Sequence, residues 1–225
     1  MFPVVASNGS QVLVSWVLWN TGIREKAILE GTTLSSVGRV NRLLGPSVFS
    51  RVKMIGVGDA TLIAINAGAN TEVWAVRDGV PGHIGTYSGQ LAAFTGNDEG
   101  HALLATHREW FVIGLDGEIL GRTPPQTRNV RDLRAVALGP DSLVMWIVFS
   151  GWRFNVEYDI HGITVAADGS TRTPRIMASS AIAMPAAAAK GERTMVVWPE
   201  PCPGCHAGEV LGPGTRATPF NRTTS

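Results

Sequence analysis

Cysteine and lysine are scarce in this sequence, and charge of neither sign predominates. Only 2 of the 225 residues are cysteine, and lysine occurs only at Lys26, Lys53 and Lys190. The 19 basic residues nearly balance the 18 acidic ones, for a net charge of +1. Two cysteines cannot by themselves form a four-ligand structural zinc site. Nucleic acids and anionic membrane surfaces are bound through clustered Lys and Arg, so we expect neither as a partner.

Long apolar runs are absent as well. The longest candidate, Ala178–Ala189, is interrupted by Pro185 and is shorter than the roughly 20 residues that span a bilayer, so no membrane insertion is expected. The chain starts Met1-Phe2-Pro3, without a basic leader or an apolar signal segment. We interpret it as a piece of a longer exported protein whose leader is not present in this chain, which predicts an extracellular or periplasmic location.

A repeated unit fills the sequence instead. Hydrophobic residues make up 44% and charged residues 16%, enough to bury a sizeable core. Five units occupy about residues 3–48, 49–88, 89–130, 131–180 and 181–220 of a single domain, 1–225. Each opens with a run of mainly small residues, followed by a polar turn, an apolar run often ending in Trp, and a Gly-marked hairpin. The opening runs are Val4–Ala6, Met54–Val57, Leu91–Phe94, Ala135–Leu138 and Ala186–Ala189.

The internal pattern of the units predicts their architecture. Each holds about four short β-rich runs separated by Gly, Asp, Asn or Pro, and no window has helical periodicity. One such unit cannot bury its own apolar face and must stack on copies of itself. Small residues suit innermost strands that converge on a channel, and runs apolar on both faces suit strands between two sheets. The sequence therefore predicts an all-β five-bladed β-propeller of four-stranded blades, or five blades of a larger propeller; a two-sheet β-sandwich is the main alternative.

The motif order also carries a resemblance. Small residues, a Gly turn, an apolar run with Trp and then Asp-Gly, as in Asp78-Gly79 and Asp168-Gly169, follow one another over roughly residues 3–220. This order resembles the degenerate β-propeller repeats common in exported bacterial proteins. It lacks the Trp-Asp dipeptide of WD40 blades, the Gly-Gly doublet of kelch blades and the Asp box of sialidases. The resemblance implies a fold and no particular activity.

One local motif has the spacing of a haem attachment site. Cys202-Pro203-Gly204-Cys205-His206 matches Cys-x-x-Cys-His, in which two thioethers hold the porphyrin and the His is an axial ligand. Pro199, Pro201 and Pro203 oppose the helix that usually presents this motif. Pro-Gly between the cysteines suits a tight turn, stapled by a disulfide or holding two thiols. We favour this structural loop and expect no cofactor; a c-type haem protein is the second alternative function.

Catalytic carboxylates and metal ligands are hard to place in this pattern. Glycoside hydrolysis needs two carboxyl groups facing each other, and the five opening runs contain no acidic residue. Asp59, Asp132 and Asp141 are interpreted as turn or ion-paired residues. The histidines are spread over three units with no common spacing, which argues against a shared metal ion; they are His83, His101, His107 and His161. Asn97-Asp98-Glu99 is interpreted as a solvated hairpin tip rather than a calcium site.

Three aromatic residues fall outside the repeating apolar pattern. Trp19, Trp152 and Phe154 lie in the long second hairpins of the first and fourth units, where exposed aromatics can form a contact surface or cap a blade edge. We expect a non-enzymatic binding or scaffolding module whose ligand is an unknown protein or carbohydrate. A carbohydrate-active hydrolase or lyase is the first alternative. No metal site and no catalytic residue are predicted.

Overall fold

A computed structural model of the chain describes most of the central residues and parts of both ends. The described residues are 4–7, 12–17, 24–30, 33–39, 52–97, 99–127, 133–150, 157–181, 183, 185–190, 193–199 and 215–221. Within them the regular secondary structure consists of 19 strands and no helix, which confirms the predicted all-β class. In this part of the chain, therefore, no helix has the length and hydropathy that a membrane crossing requires.

The strands form five antiparallel sheets in sequence order, each called a blade below. Blade 1 comprises β1 (Val4–Ser7), β2 (Val12–Val17), β3 (Arg24–Glu30) and β4 (Thr33–Arg39). Blade 2 comprises β5 (Val52–Val57), β6 (Ala60–Ala67), β7 (Asn70–Arg77) and β8 (Val80–Ser88). Blade 3 comprises β9 (Leu91–Gly96), β10 (Ala102–Thr106), β11 (Trp110–Ile113) and β12 (Ile119–Thr123). Blade 4 comprises β13 (Arg134–Leu138), β14 (Asp141–Phe149), β15 (Tyr158–Val165) and β16 (Arg175–Ala181). The described strands of blade 5 are β17 (Ala186–Lys190), β18 (Arg193–Pro199) and β19 (Thr215–Asn221).

The first strands of successive blades pack on one another. β1 contacts β5, β5 contacts β9, β9 contacts β13, and β13 contacts β17. These five strands contain the small-residue runs predicted for the innermost positions, and none of them carries Asp or Glu. No comparable packing joins the described strands β17 and β1, so the ring is open between blades 5 and 1. A radial row of sheets differs from the two facing layers of a sandwich.

The hairpins between strands follow from turn residues in the sequence. Arg77 of β7 pairs with Val80 of β8 across a two-residue loop made of Asp78 and Gly79. Both loop residues have positive φ, 48° for Asp78 and 77° for Gly79. A two-residue turn with both φ values positive matches the right-handed twist of the flanking strands, and Asp-Gly is a preferred sequence for it. The Asp-Gly motif noted in the sequence therefore fixes the register of this hairpin.

The hydrophobic core is divided among the seams between consecutive blades. One cluster lies between blades 1 and 2, and further clusters lie between blades 2 and 3, 3 and 4, and 4 and 5. Alternate residues of a strand enter opposite seams, as the two-residue period of a strand requires. Leu104 of β10 packs toward blade 2, whereas Leu103 packs toward blade 4. Blade 3 is thus apolar on both faces because it is covered on both.

Burial separates the inner blades from the terminal ones. The second strands of blades 2, 3 and 4 have uninterrupted buried stretches: Ala60–Ile65, all of β10 and Asp141–Trp146. In β18 of blade 5 burial alternates, with Thr194, Val196 and Trp198 buried while Met195 is 57% exposed. The terminal blades are therefore covered on one face only.

Candidate binding end of the propeller

Antiparallel order brings equivalent connections to the same end of the blades. Second strands join third strands at one end, here called the upper end, and the chain passes there from each fourth strand to the next blade. In the sequence, Trp19 lies between β2 and β3, and Trp152 and Phe154 lie between β14 and β15. The motif residues Cys202, Cys205 and His206 lie between β18 and β19. All six lie outside the described residues, so the roles assigned to them from the sequence remain predictions.

The hairpin of β14 and β15 extends the fourth blade at this end. Phe149 pairs with Tyr158 at the end of the ladder, and the Ser150 N–H donates to the Glu157 carbonyl at 3.0 Å. The Phe149 and Tyr158 rings meet edge to face, with centroids 5.9 Å apart and planes at 73°. Phe149 is 57% exposed, and Tyr158 is partly buried. These two rings form the aromatic pair.

The aromatic pair was missed in the sequence although a signal for it existed. Alternation from Leu143 and Met145 continues through Ile147 to Phe149, so Phe149 falls on the face that packs toward blade 5. Leu143 and Met145 are fully buried there, whereas Phe149 lies beyond the covered part of the face. An aromatic pair of this kind is worth about 0.5–1.5 kcal/mol beyond the area that it buries. The pair is thus held in place while one ring faces solvent.

A hollow opens at the upper end between blades 2 and 3. It has a volume of about 370 Å³ and is lined by Ala69, Gly89, Gln90, His107 and Arg108. Hydrogen bonds of the segment that connects blades 2 and 3 hold its walls together. The His107 N–H donates to the Gln90 carbonyl at 3.0 Å, and the Gln90 side-chain amide donates to the Gly68 carbonyl at 3.3 Å.

Gly89 allows the close packing below this hollow. Its φ is +90°, and a Cβ there would stand 2.6 Å from Oγ1 of Thr106. The Thr106 hydroxyl donates toward the carbonyls of Ser88, at 2.8 Å, and Glu109, at 2.7 Å. The connection between blades 2 and 3 is therefore fixed by backbone and threonine contacts. Among the described residues, no carboxylate forms an ion pair with the exposed Arg108 guanidinium.

At the lower end, Asn97 has a role that differs from its sequence interpretation. It is 6% exposed rather than solvated. Its side-chain Nδ2 donates to the Pro140 carbonyl of blade 4 at 2.6 Å, and its Oδ1 accepts from the N–H groups of Glu99 at 3.1 Å and His101 at 2.9 Å. Because two backbone donors occupy Oδ1, Asn97 acts as a link between blades and not as a calcium ligand.

The other polar candidates are spread over separate blades. Asp59 lies in the β5–β6 turn, 3.8 Å from the Arg77 guanidinium, while Asp141 begins β14 two blades away; Asp132 lies outside the described residues. His83 meets Trp74 at 4.9 Å and His161 stacks on Trp146 at 5.7 Å, centroid to centroid. No group of three His, Cys, Asp or Glu side chains suited to a metal ion occurs among the described residues.

One strongly shifted acid lies in the seam between blades 2 and 3. Burial of the Tyr87 hydroxyl, with a smaller effect of the Asp116 carboxylate, raises the pKa of Tyr87 to about 12. The hydroxyl donates to the Gly117 carbonyl at 3.1 Å, and the ring packs against Phe111 at 5.2 Å. Tyr87 therefore stays neutral and joins the outer strand of blade 2 to the β11–β12 hairpin.

Comparison with known proteins gives the fold but not a family. No protein-family model matches the chain, and no curated protein matches it in sequence. The β-propeller domain of the Trilobed protease from Pyrococcus furiosus is similar to this chain. The similarity covers 100% of this chain and 71% of the protease domain, with a TM-score of 0.62 and 7% sequence identity. This chain is a β-propeller. The propeller prediction is confirmed, and the sandwich alternative is excluded.

Two further propellers show the same likeness. The WD40 domain of Pan2 from Neurospora crassa is similar over 97% of this chain and 61% of its own, with a TM-score of 0.53 and 10% identity. A structure described as the Dos1 propeller is similar over 87% of this chain and 50% of its own, with a TM-score of 0.51 and 9% identity. The chain thus spans half to three fifths of these two propellers. At such identities the likeness concerns fold alone.

Proposed function

We propose that this propeller is a non-enzymatic binding module that contacts its ligand at the upper end. The aromatic pair, in which Phe149 is exposed and Tyr158 is partly buried, is the single observation that carries this proposal. Aromatic rings dominate binding hot spots because they bury a large area at low conformational cost. Phe149, which is 57% exposed at the end of the β14–β15 ladder, still has most of its area to bury. The ligand is a protein or a carbohydrate.

The innermost strands support a binding role over a hydrolytic one. Sugar hydrolysis within a propeller would draw its two carboxyl groups from strands that line the channel. β1, β5, β9, β13 and β17 contribute no Asp or Glu, and their charged residues are Lys53, Arg134 and Lys190. The hollow beside Arg108 adds a cationic group at the same end as the aromatic pair. An extracellular or periplasmic location belongs to the same proposal.

Alanine substitution of the aromatic pair tests this function. Glycan and protein-partner arrays with the wild-type chain would identify the ligand, and titration would then give its dissociation constant. We expect Phe149→Ala and Tyr158→Ala each to weaken binding about tenfold or more, since a central aromatic contact contributes roughly 2 kcal/mol.

The matched control is Ile176→Ala. Ile176 is 60% exposed on β16, the outer strand of the same blade, so its truncation removes a similar exposed apolar group elsewhere. It is expected to leave the dissociation constant within about twofold. Retention of full affinity by both aromatic variants, or arrays without any ligand, would refute the proposal.

A further inference from the structure

Each seam of the propeller pairs two different kinds of blade face. On blade 2, Leu62 and Ala64 lie on the face toward blade 3. They pack with Ala102 and Leu104 of blade 3. Every inner blade therefore has a following face, in contact with the next blade, and a preceding face, in contact with the blade before it. Because the blades keep one direction around the axis, a following face always meets a preceding face and never another of its own kind.

The open ring leaves one face of each kind uncovered. On blade 1, Ala6 and Leu13 pack against blade 2, so Val5 and its cross-strand partner Val14 lie on the uncovered preceding face. On blade 5, Val196 and Trp198 pack against blade 4, so Met195 lies on the uncovered following face. Val5 is 58% exposed and Met195 is 57% exposed.

The uncovered faces present several apolar side chains. Next to Val5 and Val14, the described side chains of the preceding face are Val12 and its cross-strand partner Ser7, which is exposed. Beside Met195, the following face presents Val197, Ala186 and Ala188, and the exposed Arg193 beside the β17–β18 turn. At the covered seam of blade 4, the corresponding following face presents Leu143 and Met145. A strand with water on one side normally alternates polar with apolar residues, whereas polar residues on these two faces are confined to Ser7 and Arg193 among the side chains named above.

We propose that these two faces bind each other between copies of this chain, with blade 5 of one copy against blade 1 of the next. The occupant is a second copy because blade 5 offers a following face and blade 1 a preceding face, the combination present at all four seams described above. A two-fold symmetric contact would place two faces of the same kind against each other, which occurs at none of the four seams. The contact is therefore head to tail. This association is independent of ligand binding at the upper end.

The size of the contact sets its expected strength. The three described strands of blade 5, about 4.8 Å apart and each about six residues long at roughly 3.3 Å per residue, cover about 290 Å² in projection. Specific stable complexes bury about 800 Å² on each partner. A single contact of this kind is therefore expected to be weak and strongly dependent on concentration.

Lysine substitutions that block one face at a time test the proposal. Sedimentation velocity of the wild-type chain should give an average mass that rises with concentration above the monomer mass of 23.9 kDa. Val5→Lys blocks the preceding face and Met195→Lys the following face, so either variant alone should stay monomeric. Val80→Lys is the control, because Val80 is 70% exposed on β8 and belongs to neither face; it should associate like the wild type.

Mixing the two blocked variants distinguishes head-to-tail contact from other association. Val5→Lys keeps its blade 5 face and Met195→Lys keeps its blade 1 face, so an equimolar mixture should form dimers and stop there. Its average mass should approach twice that of either variant alone. Three results would overturn the proposal: a wild-type chain that stays monomeric at every concentration, single variants that associate like the wild type, or a mixture no heavier than its components. Circular dichroism of each variant confirms that it is folded.

Discussion

Replacement of Trp110 by alanine is expected to destabilise the protein by about 3–5 kcal/mol, the range for truncating a large buried aromatic. Trp110 begins β11 and is 0% exposed, in the seam between blades 3 and 4. It packs there with Leu103, Val112 and Trp146, so its loss would leave a cavity in this blade contact. Urea unfolding followed by circular dichroism would measure the change in the free energy of unfolding.

Trp110→Phe provides the matched control. The indole Nε1 of Trp110 is buried and has no hydrogen-bond partner among the described residues. Removing a buried, unsatisfied donor recovers part of what the smaller ring loses in packing. The phenylalanine variant should therefore lose about 1 kcal/mol or less. A loss equal to that of Trp110→Ala would contradict the placement of this ring, as would an alanine variant of unchanged stability.

A second large effect is expected for Gly117→Ala in the β11–β12 hairpin. Gly117 has φ +89°, and a Cβ there would overlap the carbonyl oxygen of Ile84 in β8 of blade 2. A backbone oxygen cannot move aside as a flexible side chain can, so the hairpin would be displaced from blade 2. The Tyr87 hydroxyl would then lose its Gly117 acceptor. We expect a destabilisation of about 3 kcal/mol, measured as a lower urea midpoint.

Gly100→Ala separates backbone strain from this clash. Gly100 has nearly the same φ, +87°, but a Cβ there would meet only Leu115 Cδ1, at 3.9 Å. Its substitution should therefore cost only the strain of a left-handed alanine, about 1 kcal/mol. Equal losses for Gly100→Ala and Gly117→Ala would mean that blade 2 does not lie against this hairpin.

Local features of the fold could be predicted from the sequence because they depend on near neighbours in the chain. The small-residue runs identified the innermost strands, since side chains such as those of Ala92 and Ala93 allow neighbouring sheets to approach closely. Asp78-Gly79 identified a two-residue hairpin, because its φ values are set within the turn itself. The apolar character of β10 on both faces indicated a strand between two sheets.

Features that depend on contacts between blades were not predictable in this way. Asn97 looked like a solvated turn residue, and its burial depends on the Pro140 carbonyl, which belongs to the next blade. The alternation of Phe149 with Met145 was visible in the sequence. Its exposure was not, because it depends on how far the neighbouring face of blade 5 extends beside it. The opening between blades 5 and 1 is a property of the whole ring. Two features outside the described residues remain predictions: the contact surface of Trp19, Trp152 and Phe154, and the structural loop at the Cys202–His206 motif.

Methyl nuclear Overhauser contacts on the folded chain would test most directly whether sheets are stacked around a shared axis. Consecutive residues of β10 should then contact different blades. Leu104 methyls should give cross-peaks to Leu62 and Val73 of blade 2, and Leu103 methyls should give cross-peaks to Val144 and Ile163 of blade 4. Two flat facing layers would bury only one of these leucines, so cross-peaks from Leu103 and Leu104 to the same sheet, or from one of them only, would contradict the radial arrangement.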